Sequence, residues 1–68
     1  SILIDIVKQL SRKYRVVIHL FYYEELSVEE IAKITKAKAS TVRTRLTRAR
    51  RQLKNLLNKN QEWIGERL

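Results

Sequence analysis

Arginine and hydroxyl side chains alternate through residues 40–51 of this 68-residue chain, with no carboxylate among them. Guanidinium groups form charge-assisted hydrogen bonds with phosphate and bidentate ones with guanine, while threonine methyl groups pack against thymine methyl groups. Short hydroxyl side chains also let a helix backbone approach its ligand closely. The residue types in this segment therefore suit contact with a polyanion, and with a nucleic acid in particular.

Helical periodicity separates these side chains from an apolar stripe. At about 100° per residue, Leu46, Ala49 and Leu53 lie within about 40° of Val42. The opposite side collects Ser40, Thr44, Thr47, Arg48, Arg51 and Lys54, with Arg43 and Arg50 on one flank and Thr41 and Arg45 on the other. A helix face that is merely solvated normally mixes Glu with Lys and Arg. The absence of acids here favours a DNA-contacting face.

The net charge of +8 is concentrated in the same part of the chain. Residues 1–30 carry four basic and five acidic side chains, residues 31–60 carry ten basic and no acidic ones, and residues 61–68 carry one basic and two acidic. Such a block is typical of a protein that neutralises phosphates. On charge alone, a solvated helix face, or a basic patch for an acidic protein or a membrane, remains an alternative.

Composition favours one small helical domain. The chain has no Pro, no Cys and a single Gly, so turn chemistry is scarce and disulfides are excluded. No apolar run is longer than four residues, which excludes a transmembrane helix and a signal peptide. Apolar spacing over residues 2–10 predicts a first helix. Ser11 is placed to cap a second, from residue 12 to about 24.

The strongest local signal is the segment LSVEEI at residues 26–31. Ser27 and Glu30 have the capping-box spacing, and Leu26 and Ile31 flank them as a hydrophobic staple, which predicts a third helix from Val28. The apolar spacing of this third helix stops at residues 35–39, so the helix is short. A longer fourth helix follows, and its stripe continues through Leu53, Leu56 and Leu57 to Ile64 and Leu68 if the helix extends past residue 57. We therefore predict an all-α, four-helix domain with a helix-turn-helix at about residues 28–57 and a long C-terminal recognition helix.

Two segments carry a family resemblance. LSVEEIA at residues 26–32 and STVRTRLTRAR at residues 40–50, followed by Leu53, resemble region four of bacterial RNA polymerase sigma factors of the extracytoplasmic-function type. LSRKYR at residues 10–15 is also similar to that family, so the resemblance covers about residues 10–57. The frame Thr-Val-x-x-Arg-x-x-Arg-Ala-Arg-x-x-Leu is more restrictive than a general helix-turn-helix pattern.

The resemblance implies a single DNA-binding domain of a cytoplasmic bacterial sigma factor, without cofactor or metal. Because the chain begins at Ser1 and not at Met, we expect it to be part of a longer protein. Region four of the family holds the −35 promoter element in the major groove and docks on the flap of the polymerase β subunit. An anti-sigma protein is a further expected partner.

Carried over to this sequence, the resemblance assigns two sets of site residues. The predicted base-reading residues are Ser40, Thr41, Arg43, Thr44, Thr47 and Arg48. The predicted phosphate-binding residues are Lys33, Lys36, Lys38, Arg45, Arg50 and Arg51. The first set agrees with the helical wheel, which is independent of the family.

Four residues depart from the family pattern around the two turns. Lys36 stands where a residue tolerant of positive φ is usual, and Ala37 replaces a larger aliphatic anchor. Lys38 occupies a position where a good N-cap or Pro is common, which leaves Ser40 as an alternative cap. Glu25 replaces a frequent Gly between the second and third helices.

Other readings of the chain remain. The runner-up function is the helix-turn-helix effector domain of a transcription regulator, such as a response regulator, and a third is a protein- or membrane-binding module. Nothing supports an enzyme, since the lone His19 has no partner for catalysis or metal binding and adjacent Glu side chains diverge on a helix. Tyr14, Phe21, Tyr22 and Tyr23 are expected in the core and its rim, with a partner surface as the alternative for one or two of them. Trp63 either folds back onto the first helix or anchors a partner.

Overall fold

A computed structural model describes the backbone of residues 2–67 and the side chains of residues 3–59. Within that part the chain forms four α-helices, a π-helical segment and no strand. The elements are α1 (Ile2–Lys8), α2 (Arg12–Ile18), the π-helical segment (His19–Tyr23), α3 (Val28–Thr35) and α4 (Ala39–Arg67). The predicted all-α, four-helix fold is confirmed.

One apolar core joins the helices. The apolar stripe predicted on α4 is buried at Val42, Leu46 and Ala49, while Leu53 and Leu56 pack against the core edge. Helices α2 and α3 both pack on α4, and α1 joins them through its own packing against α4. The other buried side chains are Ile6, Leu10, Tyr14, Val17, Ile18 and Ile31. This arrangement places α4 against all three other helices and leaves its opposite side in solvent.

The capping box at the start of α3 forms as predicted. The Ser27 backbone N–H donates to Glu30 Oε1 at 2.9 Å, and the Glu30 N–H donates to Ser27 Oγ at 3.1 Å. Two backbone donors that have no partner within the helix are thereby satisfied. Ser11 occupies the N-cap position of α2 with extended backbone angles, but its side chain makes no capping hydrogen bond.

Both turns that depart from the family pattern contain a residue in the left-handed region. Glu25 has φ of 57° and Lys36 has φ of 56°. The Ala37 N–H then donates to the Ala32 carbonyl at 3.0 Å, the bond of a Schellman motif. Ala37 and Leu26, which follow the left-handed residues, are each half-buried against the core. Small as it is, Ala37 therefore serves as the apolar anchor of the turn.

Helix α4 begins at Ala39, one residue before the alternative cap. Ser40 therefore lies inside the first turn and not at the N-cap. Lys38 precedes the helix, and its carbonyl accepts the Val42 N–H at 3.0 Å.

Helix α4 extends past residue 57 to Arg67, whereas the apolar pattern alone does not decide whether it continues beyond residue 57. The side chains of Trp63, Ile64 and Leu68 lie outside the described residues. Among the helices described, none has both the length and the apolarity needed to cross a bilayer.

The second helix differs from expectation in its last turn. The predicted α-helix to about residue 24 ends at Ile18, and residues 19–23 continue as a π-helix. The Glu24 N–H donates to the His19 carbonyl at 3.1 Å, and the Leu26 N–H donates to the Leu20 carbonyl at 3.0 Å. These bonds span five and six residues, so the turn is wider than that of an α-helix. Apolar spacing does not reveal such a turn, because one wide turn displaces the pattern by only one residue.

Candidate nucleic-acid interface

The six predicted base-reading residues all lie on α4, on the side away from its buried stripe. Five of them are exposed, and Thr41 is half-buried at the edge. We call this set the recognition face: Ser40, Thr41, Arg43, Thr44, Thr47 and Arg48. It exists because apolar residues at three- and four-residue steps fix the opposite side of α4 in the core.

Four residues of the recognition face form a shallow groove together with Arg51. Its lining contains three guanidinium groups, two threonine hydroxyls and no carboxylate; the residues are Arg43, Thr44, Thr47, Arg48 and Arg51. Arg51, which the resemblance assigns to phosphates, thus lies beside the base-reading candidates. Guanidinium and hydroxyl groups on one exposed helix face are the groups that read base edges in a major groove.

The Thr44 hydroxyl already donates its proton in a hydrogen bond within α4. Thr44 Oγ1 donates to the Ser40 carbonyl at 3.1 Å, one turn earlier in α4. Its lone pairs remain available as acceptors, so in this rotamer the side chain can accept a hydrogen bond from a base amino group but cannot donate one.

Arg43 lies on the flank of the recognition face that adjoins α3. Its Nη2 atom is 3.2 Å from Glu29 Oε1, and both side chains are exposed. An exposed ion pair of this kind contributes little to stability, roughly 0.2–1 kcal/mol. The pair therefore orients the Arg43 guanidinium but holds it weakly. The guanidinium can exchange the Glu29 carboxylate for a base or a phosphate.

On the opposite flank, the recognition face meets α2 in a second groove, which we call the interhelical groove. Lys13 and Tyr14 of α2 line it together with five residues of α4, namely Ser40, Thr41, Thr44, Arg45 and Arg48. The sequence analysis did not include Lys13 among the site residues. The signal that could have found it is LSRKYR, whose similarity to the family was used only to place the second helix.

The other predicted phosphate-binding residues are less closely grouped. Lys33, Lys36 and Lys38 are exposed on α3 and its following turn, and line neither groove of the recognition face. Arg50 is exposed but already has a partner in the domain: its Nε donates to the Tyr22 hydroxyl at 2.6 Å, and its guanidinium lies 5.5 Å from the Phe21 and Tyr22 ring centroids. The structure thus places Arg50 against the π-helical segment.

A separate apolar surface extends over α1, α2, the π-helical segment and Ile34 of α3. It comprises two adjoining grooves that share Val7 and His19; no residue of α4 lines either of them. The exposed apolar residues in it are Leu3, Ile4, Val16, Tyr22, Tyr23 and Ile34. His19 is exposed; it stacks on Tyr23 with ring centroids 5.0 Å apart, and its Nε2 lies 3.5 Å from Glu24 Oε1. The aromatic residues expected in the core and its rim differ in exposure: Tyr14 is buried, whereas Tyr23 is 77% exposed.

The titratable groups do not form a metal-binding cluster in the part of the chain that is described. No three His, Asp or Glu side chains there are grouped to hold a metal ion. The hydrogen bond from the Ser27 backbone lowers the pKa of Glu30, and the Ser27 hydroxyl and Lys33 act in the same direction. That shift belongs to the helix cap at the start of α3 and not to the recognition face.

Fold and surface together define a helix-turn-helix DNA-binding domain, with α3 as the first helix and α4 as the recognition helix. Residues 1–53 match the family described as sigma-70, region 4, and the chain belongs to this family. It is also similar to RNA polymerase sigma factor SigV of Bacillus subtilis (strain 168), with 39% identity over 55 residues. That match covers 81% of the chain and 33% of SigV, so the chain spans about a third of the length of this relative.

Proposed function

We propose that this domain binds promoter DNA at a −35-type element and docks on RNA polymerase, as region four of a sigma factor in the bacterial cytoplasm. The observation that carries the proposal is the recognition face, where arginines and short hydroxyl residues without carboxylates project from a helix whose other side is fixed in the core. Membership in the sigma-70 region 4 family supports it. It also favours a sigma factor over the effector domain of another regulator or a membrane-binding module.

In this proposal the two sets of basic residues act differently. Ser40, Thr41, Arg43, Thr44, Thr47 and Arg48 contact base edges, and Lys33, Lys36, Lys38, Arg45 and Arg51 contact phosphates. Base contacts discriminate between sequences, whereas phosphate contacts position the domain and make binding sensitive to salt. The domain acts by binding and has no catalytic role.

The test is binding to a duplex selected by the chain from a random library, compared with a scrambled duplex of the same composition. We expect Arg43→Ala and Arg48→Ala each to cost about 1–3 kcal/mol on the selected duplex and less on the scrambled one. Arg12→Ala is the matched control, because Arg12 is exposed in a groove that no residue of α4 lines. Fluorescence anisotropy at fixed salt measures all four proteins. Equal losses on both duplexes would contradict base reading.

We further propose that the apolar surface docks the flap of the polymerase β subunit. Exposed apolar groups in contiguous grooves commonly mark protein interaction sites. Since α4 contributes no residue to these grooves, a protein bound there leaves the recognition face open to DNA. An anti-sigma protein could compete for the same apolar residues and so displace the polymerase.

Polymerase docking is tested by binding of the chain to immobilised core RNA polymerase from the bacterium that encodes it. We expect Leu3→Ser and Tyr23→Ser to weaken this binding at least tenfold while affinity for the selected duplex stays unchanged. Arg48→Ala should show the reverse pattern. If the serine variants bind polymerase as tightly as the parent chain, the flap occupies a different surface.

A further inference from the structure

We infer that Arg50 of the recognition helix is a positioning residue for polymerase docking, because it holds the Tyr22 ring in the wall of the apolar surface. The inference deepens the proposed docking of polymerase on that surface and rests on it. Arg50 itself lines neither of the two apolar grooves. Its effect on a protein bound there therefore passes through Tyr22.

Three contacts join Arg50 to the π-helical segment. Its Nε donates to the Tyr22 hydroxyl at 2.6 Å, and its guanidinium carbon lies 5.5 Å from the ring centroids of both Tyr22 and Phe21. The two rings meet edge to face, with centroids 5.0 Å apart and an interplanar angle of 78°. At these distances the cation attracts both rings, and the edge-to-face pair is itself favourable. Arg50 thus restrains the Tyr22 ring from the side of α4.

The core does not restrain Tyr22 in the same way. The residue is 54% exposed and lines an apolar groove, whereas the preceding Phe21 is half-buried and packs against the core. Tyr23 lines the same groove and stacks on His19. The two tyrosines of this groove are therefore held differently. His19 holds Tyr23 from within the π-helical segment, and Arg50 holds Tyr22 from the recognition helix.

The contact with Arg50 favours docking in two ways. A side chain that is restrained before binding loses less conformational entropy when a protein covers it. The Tyr22 hydroxyl also loses water when its ring is covered, and a hydroxyl buried without a hydrogen bond costs free energy. Arg50 supplies a hydrogen bond from within the domain. A docked protein can then cover the Tyr22 ring without presenting a donor of its own to the hydroxyl.

Arg51 provides a matched comparison on the same helix. Both arginines are exposed, but Arg51 lines the groove of the recognition face and neither apolar groove. Replacing either one by alanine removes the same charge from neighbouring positions of α4. A difference between the two variants in polymerase binding therefore reports the contacts of Arg50 and not the net charge of the domain.

The test is binding of the variants to immobilised core RNA polymerase from the bacterium that encodes the chain. We expect Arg50→Ala and Tyr22→Phe each to weaken polymerase binding by about two- to tenfold, the range that corresponds to restraint of one side chain. Arg51→Ala should bind polymerase as the parent chain does. Because Arg50→Ala and Tyr22→Phe remove the same hydrogen bond, the double variant should bind no more weakly than Arg50→Ala alone.

Circular dichroism melting sets a temperature at which all the variants are folded, and the affinity of Tyr22→Phe for the selected duplex should there equal that of the parent chain. If Leu3→Ser and Tyr23→Ser leave polymerase binding unchanged, the docking surface and the role of Arg50 both fail. If these serine variants weaken binding while Arg50→Ala binds as tightly as Arg51→Ala, the positioning role alone is overturned. Losses that multiply in the double variant would overturn it as well.

Discussion

Arg50 and Tyr22 join the recognition helix to the π-helical segment through a hydrogen bond of 2.6 Å between Arg50 Nε and the Tyr22 hydroxyl. Tyr22 also lines the apolar surface that we propose as the polymerase-docking site. One tyrosine thus contacts the DNA-binding helix with its hydroxyl while its ring borders the other functional surface. This relationship gives Arg50 a structural role that competes with the phosphate contact predicted from the resemblance.

The two roles of Arg50 lead to different results for Arg50→Ala. If the guanidinium stays with Tyr22 in the complex, the variant loses about 0.5–1.5 kcal/mol of stability and keeps the parent salt slope for DNA binding. Arg51→Ala, at the exposed neighbouring arginine, should instead keep its stability and lower the slope by about 0.9. Urea unfolding and salt titration of both variants check this. A reduced slope for Arg50→Ala would show that Arg50 leaves Tyr22 for a phosphate.

The ion pair between Glu29 and Arg43 should restrain DNA binding slightly. Glu29→Gln removes a negative charge beside the recognition face and releases the Arg43 guanidinium. Because the exposed pair is worth roughly 0.2–1 kcal/mol, we expect affinity for the selected duplex to rise by up to about fivefold at low salt. Anisotropy at two salt concentrations measures the gain, which screening should reduce at the higher one. Weaker binding would mean that Glu29 orients Arg43 for a base.

The sequence predicted those features that depend on local periodicity or on hydrogen bonds between near neighbours. The Ser27 and Glu30 cap and the exposed side of α4 follow directly from spacing, and the structure shows both. The position of Lys13 beside Arg45 and the contact of Arg50 with Tyr22 depend on how α2 and its π-helical end cross α4. The residues of each pair lie 28 or more positions apart, so no local pattern contains either arrangement.

Replacing either of the two left-handed turn residues, Glu25 or Lys36, by glycine should stabilise the fold. Left-handed φ costs a residue with a Cβ atom roughly 1–2 kcal/mol, and glycine avoids most of this cost while losing more entropy on folding. We therefore expect Glu25→Gly and Lys36→Gly each to stabilise the fold by about 0.5–1 kcal/mol. Lys33→Gly, inside α3, is the matched control and should destabilise by about 1 kcal/mol. Urea unfolding reports all three, and a loss of stability in Lys36→Gly would contradict the backbone argument.

The Ser27–Glu30 capping box should make stability depend on pH at the acidic end. The hydrogen bond from the Ser27 backbone lowers the pKa of Glu30 below its ordinary value of 4.5. A carboxylate with a depressed folded-state pKa contributes stability that is complete above 4.5 and is lost as pH falls through the folded-state pKa.

Glu30→Gln keeps an acceptor at the same position but does not titrate. We therefore expect the parent chain to be more stable than Glu30→Gln at pH 7, and the difference to shrink as pH falls below about 4.5. Ser27→Ala removes the hydroxyl that accepts the Glu30 N–H and should cost about 1 kcal/mol at pH 7. Thermal unfolding of the three proteins between neutral and strongly acidic pH checks both statements. A difference between the parent chain and Glu30→Gln that stays constant with pH would show that the charge of Glu30 does not stabilise the cap.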